Sequence, residues 1–247
     1  RRYSLTCNKN KLINMIIGVK KMNLERLTKE VKNNLLRLAS NDKERKNLDR
    51  IIAAIRVIDR IFFVEHKSDA YIDTALPIGY NQTISQPSTV ARMLMLANPE
   101  PGNNLLELGA GSGWNACLAG YILYPGKVIS MDIVPQLVEE ANKNLNELKI
   151  YLNSEDRERL TNIEFRNFNI LKELVNWQEK YDKIIITAGI SREQENIIHQ
   201  LADKALKEKG ILVCPHIHGP LIILKKENGK ISKDTTIEQY VFVPLLE

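Results

Sequence analysis

Three glycines at alternate positions in Leu106-Glu-Leu-Gly-Ala-Gly-Ser-Gly113 are the residues of this chain with the plainest chemical use. An apolar run precedes them and a helical pattern follows, so they form a turn between strand and helix. Side chains there would hold a ligand away from the backbone, and a tight turn asks for positive φ angles. Asp132 closes the next apolar run nineteen residues past Gly113, a position from which a carboxylate accepts hydrogen bonds from both ribose hydroxyls. These features suit a dinucleotide or S-adenosylmethionine. Two details favour the second: the spacing is Gly-x-Gly-x-Gly, and Glu107 stands just before Gly109, where dinucleotide folds keep the strand apolar. The alternative is that Gly109, Gly111 and Gly113 serve only the turn.

A second set of chemically able residues lies in Leu76-Pro-Ile-Gly-Tyr-Asn-Gln-Thr-Ile-Ser-Gln-Pro87, where Thr83 and Ser85 carry hydroxyls. Ser85 also precedes Gln86-Pro87 and could instead cap a helix starting there. No His-Asp dyad is evident. Cys214, His216 and His218 could share one face of a strand, but no fourth ligand accompanies them, and no metal is expected. Trp114 is expected to pack at a helix start.

The elements that must position these residues can be read from periodicity. Leucines and valines from Leu24 to Leu38, and isoleucines from Leu48 to Phe62, recur at three- and four-residue steps, indicating two amphipathic helices broken at Asn41-Asp42. Residues 63–87 lack periodicity and carry Pro77, Gly79 and Pro87, so they form an ordered loop of the kind that is often functional. A helix follows over 88–97. Strands are then expected at 104–108, 127–131, 163–166, 183–187 and 211–214, with helices at 114–123, 135–151 and 192–208 between them. This alternation implies a doubly wound α/β domain of Rossmann-like type, its sheet mostly parallel. Two last strands, 220–225 and 236–243, joined through Glu227-Asn-Gly-Lys230, add an antiparallel hairpin at one edge, a feature that also suits a methyltransferase.

The 247 residues, 44% of them hydrophobic, make one catalytic domain, expected over 22–247, with helices over 22–63 and the loop over 64–87. Residues 1–21 are expected to be a disordered or extraneous leader. No apolar run nears the roughly 20 residues of a membrane span. Cys7, Cys117 and Cys214 are widely spaced and odd in number, which points to reduced thiols in the cytoplasm. Residues 1–60 hold 16 Lys/Arg against 6 Asp/Glu, and the remainder 19 against 24. The basic residues alternate with apolar ones at helical spacing, so they are expected to be solvated helix faces rather than a nucleic-acid surface.

With both blocks in view, the chain from about Asp59 onward resembles the protein-L-isoaspartate O-methyltransferase family. The resemblance rests on Arg60-Ile-Phe-Phe-Val64, Ala70-Tyr-Ile-Asp73, Leu76-Pro-Ile-Gly79, Gln82-Thr-Ile-Ser-Gln-Pro87, the glycine turn, Tyr181-Asp-Lys-Ile-Ile-Ile-Thr-Ala188 and Phe242-Val-Pro-Leu245. The Thr-Ile-Ser block is the specific one. The resemblance implies methyl transfer from S-adenosylmethionine to the free carboxylate of L-isoaspartyl residues in damaged proteins or peptides, a repair reaction. A monomer is expected. It implies that Ser85 orients the acceptor and Thr83 lines the same loop. The resemblance further implies that Glu107, Gly109, Gly111, Gly113, Asp132, Phe168 and Asn169 hold the cofactor and that main-chain groups near 241–243 hold the peptide. Departures from the family pattern are Asn169 for its Asp, Asn81 for its Gly and Asp132 for its Glu. Another carboxylate acceptor, such as a modified peptide, or a silent binding homologue remain the alternatives. Amino-group methylation of nucleic acid is disfavoured, because Thr187-Ala-Gly-Ile stands where an Asn-Pro-Pro-aromatic motif would be needed.

Overall fold

The computed structural model describes residues 2–39, 41–174, 177–178 and 180–246, with side chains from residue 18 onward. Helix α1 spans Arg2–Leu36 and α2 spans Asp42–Val57. The backbone is thus helical across the expected boundary between residues 21 and 22. Residue 1, the side chains of 2–17 and the Cys7 thiol lie outside the described residues. The side-chain oxygen of Asn41 accepts from the Glu44 amide at 2.9 Å, and Asp42 and Glu44 occupy the first turn of α2, where the helix dipole favours acids. Buried Leu48, Ile51, Ile52 and Ile55 of α2 join Leu27, Val31 and Leu35 of α1 in one core.

The loop that follows is ordered by short pieces: 3₁₀ turns at Arg60–Phe63 and Lys67–Asp69, then β1 (Leu76–Pro77) antiparallel to β2 (Thr83–Ile84). Helix α3 covers Pro87–Ala97 and stops on Asn98 in the left-handed region, φ 48°.

Five strands then alternate with helices: β3 (Leu105–Leu108), α4 (Trp114–Leu123), β4 (Val128–Asp132), α5 (Pro135–Tyr151), α6 (Ser154–Glu158), β5 (Ile163–Asn167), α7 (Ile170–Glu173), β6 (Tyr181–Ile186), α8 (Glu195–Ala205) and β7 (Leu206–Pro215). Beyond them lie β8 (His218–Gly219), β9 (Leu221–Glu227), β10 (Lys230–Thr235) and β11 (Tyr240–Val241). The seven-stranded sheet runs β10-β9-β7-β6-β3-β4-β5. Strands β3 to β7 are parallel, and β9 and β10 are antiparallel. Alternating side chains feed two cores: Leu105 and Val128 pack with α1 to α5, while Leu106, Leu108, Ile129 and Met131 pack with α8.

One expected element is misplaced. The partner of β9 is Lys230–Thr235 and not 236–243, because Asn228 and Gly229, with φ of 53° and 69°, turn the chain in two residues and pairing resumes at once. Strand β10 is an edge with mostly exposed polar side chains, so no apolar alternation marks it. Residues 240–241 pair instead with β8. Likewise β7 begins at Leu206 and α8 ends at Ala205, shortening the expected helix.

Candidate active site

Strand β3 has β4 on one side and β6 on the other, so the strand order reverses at β3, and a crevice opens beyond the carboxyl ends of the strands. The glycine turn lies there. All three glycines have positive φ, 95° at Gly109, 51° at Gly111 and 89° at Gly113. A Cβ on Gly109 would stand 2.4 Å from Thr187 Oγ1, and that hydroxyl donates to Gly109 O at 2.6 Å. At Gly113 a Cβ would meet Phe165 at 3.0 Å and Ala141 at 3.1 Å. The turn itself therefore requires these two. Gly111 faces Ile78 of the preceding loop, at 3.3 Å from a Cβ built on it, and its amide donates to Asp132 Oδ2 at 3.0 Å. The other oxygen of Asp132 accepts from the Val134 amide at 3.0 Å. Each oxygen keeps lone-pair capacity for a ribose hydroxyl.

Three adjoining cavities make up the site. The first, about 500 Å³, is bounded by Gln82, Gly109, Asp132, Ile133, Phe168, Asn169, Leu171 and Leu245. The second, about 360 Å³, shares Gly109 and adds Thr83, Ser85, Glu107, Gly111, Trp114 and Asn115. The third, about 660 Å³, shares Thr83 and Ser85 and is closed by Ala75, Thr89 and residues 239–243. Of the nine site residues expected from sequence, eight border the first two cavities. Gly113 does not; it stands at the N-cap of α4, packed on its neighbours.

Glu107 shares a strand face with Leu105, turned toward the core of α3 and α4, and is fully buried. It accepts from Asn115 Nδ2 at 2.7 Å and from Ser130 Oγ at 2.5 Å. Burial pushes its carboxyl up to about 7, against the pull of those two hydrogen bonds. Asn169 caps α7, its side-chain oxygen accepting from the Leu171 amide at 3.1 Å. Phe168 lies beside it, its ring 5.8 Å from that of Trp177. Trp114 is buried and donates to Ile58 O at 3.0 Å, which is packing as expected, although the ring also borders the second cavity.

Ser85 does not cap α3. Asp73 does, accepting from the Ser88 amide at 2.8 Å and from its hydroxyl at 2.5 Å. The position of Ser85 is set by Arg60, for which sequence alone indicates no role beyond its motif. Its guanidinium is fully buried and donates to the carbonyls of Ala70, Ile72, Thr74 and Ser85 at 3.4, 3.1, 2.8 and 3.2 Å. It also lies over the Trp114 ring at 5.5 Å. Asp59 supports the same loop by accepting from the Tyr71 hydroxyl and from Lys20 at 2.9 Å. An Arg beside an Asp inside the apolar run from Ile58 to Val64 was the one available signal. Cys214 is buried, His216 Nε2 lies 3.4 Å from Glu195 Oε1 and His218 is exposed.

A glycine turn beside a strand-end carboxylate, on a mostly parallel sheet with antiparallel edge strands, defines the class of S-adenosylmethionine-dependent methyltransferases with a Rossmann-like fold. The donor set fits that cofactor: a carboxylate for the ribose, an aromatic and an amide for the base, and a buried acid under the turn. Within the class, the chain belongs to the protein-L-isoaspartate(D-aspartate) O-methyltransferase family, whose model matches residues 30–247. It is 35% identical over 207 residues to protein-L-isoaspartate O-methyltransferase 2 of Archaeoglobus fulgidus, covering 80% of this chain and 86% of that protein. The protein-L-isoaspartate O-methyltransferase of Photorhabdus laumondii is 31% identical over 90% of this chain and 98% of its own length. In fold, the chain is similar to a Plasmodium falciparum crystal structure described as a protein-L-isoaspartate O-methyltransferase in complex with S-adenosyl-L-homocysteine. The TM-score is 0.68 at 24% identity, over 88% of this chain and 97% of that one.

Proposed function

We propose that this chain transfers a methyl group from S-adenosylmethionine to the free carboxylate of L-isoaspartyl residues in damaged proteins or peptides, opening their repair. The observation that carries this is the place of Thr83 and Ser85, which form the shared wall between the cavity on the glycine turn and the cavity under residues 239–243. Donor and acceptor thus meet at two hydroxyls.

When bound, S-adenosylmethionine supplies a methyl carbon attached to positively charged sulfur. Asp132 would hold its ribose, Phe168 and Asn169 its base, and the acid of Glu107 matches its ammonium. The acceptor carboxylate, with a pKa of about 3.5, is already ionised at neutral pH, so no general base has to activate it. What the chain must do is orient it and keep water off its charge. Ser85 does the first: its hydroxyl takes no hydrogen bond among the described residues and is free to donate to a carboxylate oxygen. Loop residues 76–87, with Ile78 packed on Gly111, do the second. The main chain of 241–243 supports the peptide.

We place the enzyme in the cytoplasm as a monomer. Cys117 and Cys214 are buried free thiols, and no helix among the described residues is long and apolar enough to cross a membrane.

The test is labelled methyl transfer to a peptide carrying L-isoaspartate and to its L-aspartate twin. Only the first should be labelled, and Ser85→Ala should slow it about 10- to 100-fold with the fold intact. Equal labelling of both peptides would end this proposal.

A further inference from the structure

The far wall of the third cavity comes from the C-terminal segment, and no motif explains what holds it opposite Ser85. Strand β11 pairs with β8 rather than with the loop or with α3. The link to α3 is Arg92, one turn beyond the cavity residue Thr89 and only 9% exposed. Its Nη2 lies 3.1 Å from Glu238 Oε1, and the same charge acts on the Tyr240 hydroxyl, opposing the rise that burial gives its pKa. These two partners bracket Gln239, which lines the cavity. The carbonyl of Glu238 accepts from Thr236 Oγ1 at 3.1 Å. Thr236 is itself tied to Leu221 of β9, donating its amide to the Leu221 carbonyl and accepting the Leu221 amide on its hydroxyl, both at 3.0 Å. Residues 236–240 are therefore strung between the sheet edge and one cation on α3.

We propose that Arg92 and Glu238 form a positioning pair that sets the width of the acceptor cleft, and through it the affinity for the isoaspartyl peptide. Neither residue borders the first two cavities, so cofactor binding is independent of the pair. Arg92 Nε and Glu238 Oε1 make no hydrogen bond of good geometry. Charge at short range holds the pair, rather than a directed two-pronged bond, so a lysine should replace the arginine in large part. The side chains are 11% and 27% exposed, which limits screening by salt.

This inference rests on the function proposed above, and the experiment separates the two. Methylation of the isoaspartyl peptide is measured for the wild type, Arg92→Met, Arg92→Lys and Glu238→Gln, with calorimetric titration of S-adenosylhomocysteine and a melting curve for each. Arg92→Met and Glu238→Gln should raise the peptide KM about 10-fold, with kcat within about twofold and S-adenosylhomocysteine affinity unchanged; Arg92→Lys should recover most of the loss. An unchanged peptide KM, or peptide KM, kcat and cofactor affinity all worsening in step with the melting temperature, would overturn the pair's role. If Arg92→Met does not fold, the more exposed Glu238→Gln decides by the same split. A wild type that leaves the peptide unmethylated fails the proposed function, and the pair is then judged from peptide binding titrated with S-adenosylhomocysteine present.

Discussion

The wall that faces the cofactor and the wall that faces the acceptor meet at Ser85, yet they are made differently. The first is formed by the ends of β3, β4 and β5, where the sheet fixes the backbone and the glycine turn follows from it. Its polar links run mostly to main chain that the sheet already fixes, such as the amides of Gly111 and Val134 on Asp132 and that of Leu171 on Asn169. The second consists of residues 64–87 and 236–246, which contain only two-residue strands and single turns. Irregular backbone has no ladder to satisfy its polar groups, and here charged side chains do so: Arg60 donates to four carbonyls and Asp73 accepts from the Ser88 amide, with Arg92 on Glu238 tying the outer segment. A wall of the first kind should tolerate side-chain changes that respect its φ angles. A wall of the second kind should fail when one buried group is removed.

The sharpest way to break this contrast is Arg60→Met. Burial brings the Arg60 guanidinium down to about 10, still charged at neutral pH. Its loss strands the carbonyls of Ala70, Ile72, Thr74 and Ser85 in a poorly hydrated place. Removing one member of such a buried charged cluster costs about 3 kcal/mol or more. Urea unfolding should show that loss, and in protein still folded, methylation should fall much further than S-adenosylhomocysteine affinity. A cost under about 1 kcal/mol would mean that the loop is held by its apolar contacts and that the two walls are alike.

The same contrast explains what could be read in advance. Helices α4 and α5 and the parallel strands announce themselves, because each is a run of apolar residues at a fixed period between glycines and prolines. Gly109, Asp132 and Ser85 were legible because spacing along the chain translates directly into position at a strand end or in a recognisable block. Arg60 was not, since its partners lie 10 to 25 residues away on irregular backbone and leave no periodic trace. Arg92 and Glu238 are further apart still, and nothing in either neighbourhood marks the other. Strand β10 escaped for a simpler reason, as an exposed edge has no apolar face to display. Asp73, and not Ser85, proved to be the cap of α3 because a cap can come from across the fold as well as from the adjoining residue.

Glu107 is the exception within the regular wall and offers an intermediate effect. Its folded pKa, about 7, lies above the ordinary carboxylate value of 4.5, with burial the chief cause. The native state therefore holds the proton more tightly than the unfolded chain. Stability should fall as pH rises from about 4.5 to 7, the full deficit being present above that window, on the order of 3 kcal/mol. Glu107→Gln keeps an acceptor for Asn115 and a donor for Ser130, so it should flatten this slope and be more stable than the wild type at pH 8. Denaturation at pH 5 and pH 8 reads the difference, and a pH-independent gap between the two proteins would contradict it. If this acid is retained for the ligand despite its cost to the fold, Glu107→Gln should also weaken S-adenosylhomocysteine affinity, which calorimetric titration reads.

The smallest effect is expected at Asn169, where the family pattern has an acid. The backbone of α7 already fixes this position, because the side-chain oxygen is committed to the Leu171 amide at 3.1 Å. Asn169→Asp keeps that cap and adds a second acceptor in place of the amide donor. If the base of the cofactor mainly offers its amino group here, affinity should rise by no more than about fivefold, roughly 1 kcal/mol. A fall instead would show that the Asn169 amide donates to a ring nitrogen, so that the departure from the family is a working alternative. Either way the change should be small and confined to cofactor affinity, with the peptide KM unmoved. A shift in the peptide KM comparable to that expected of Arg92→Met would mean that the walls are mechanically coupled, and that the backbone around Asn169 is less fixed than its hydrogen bonds imply.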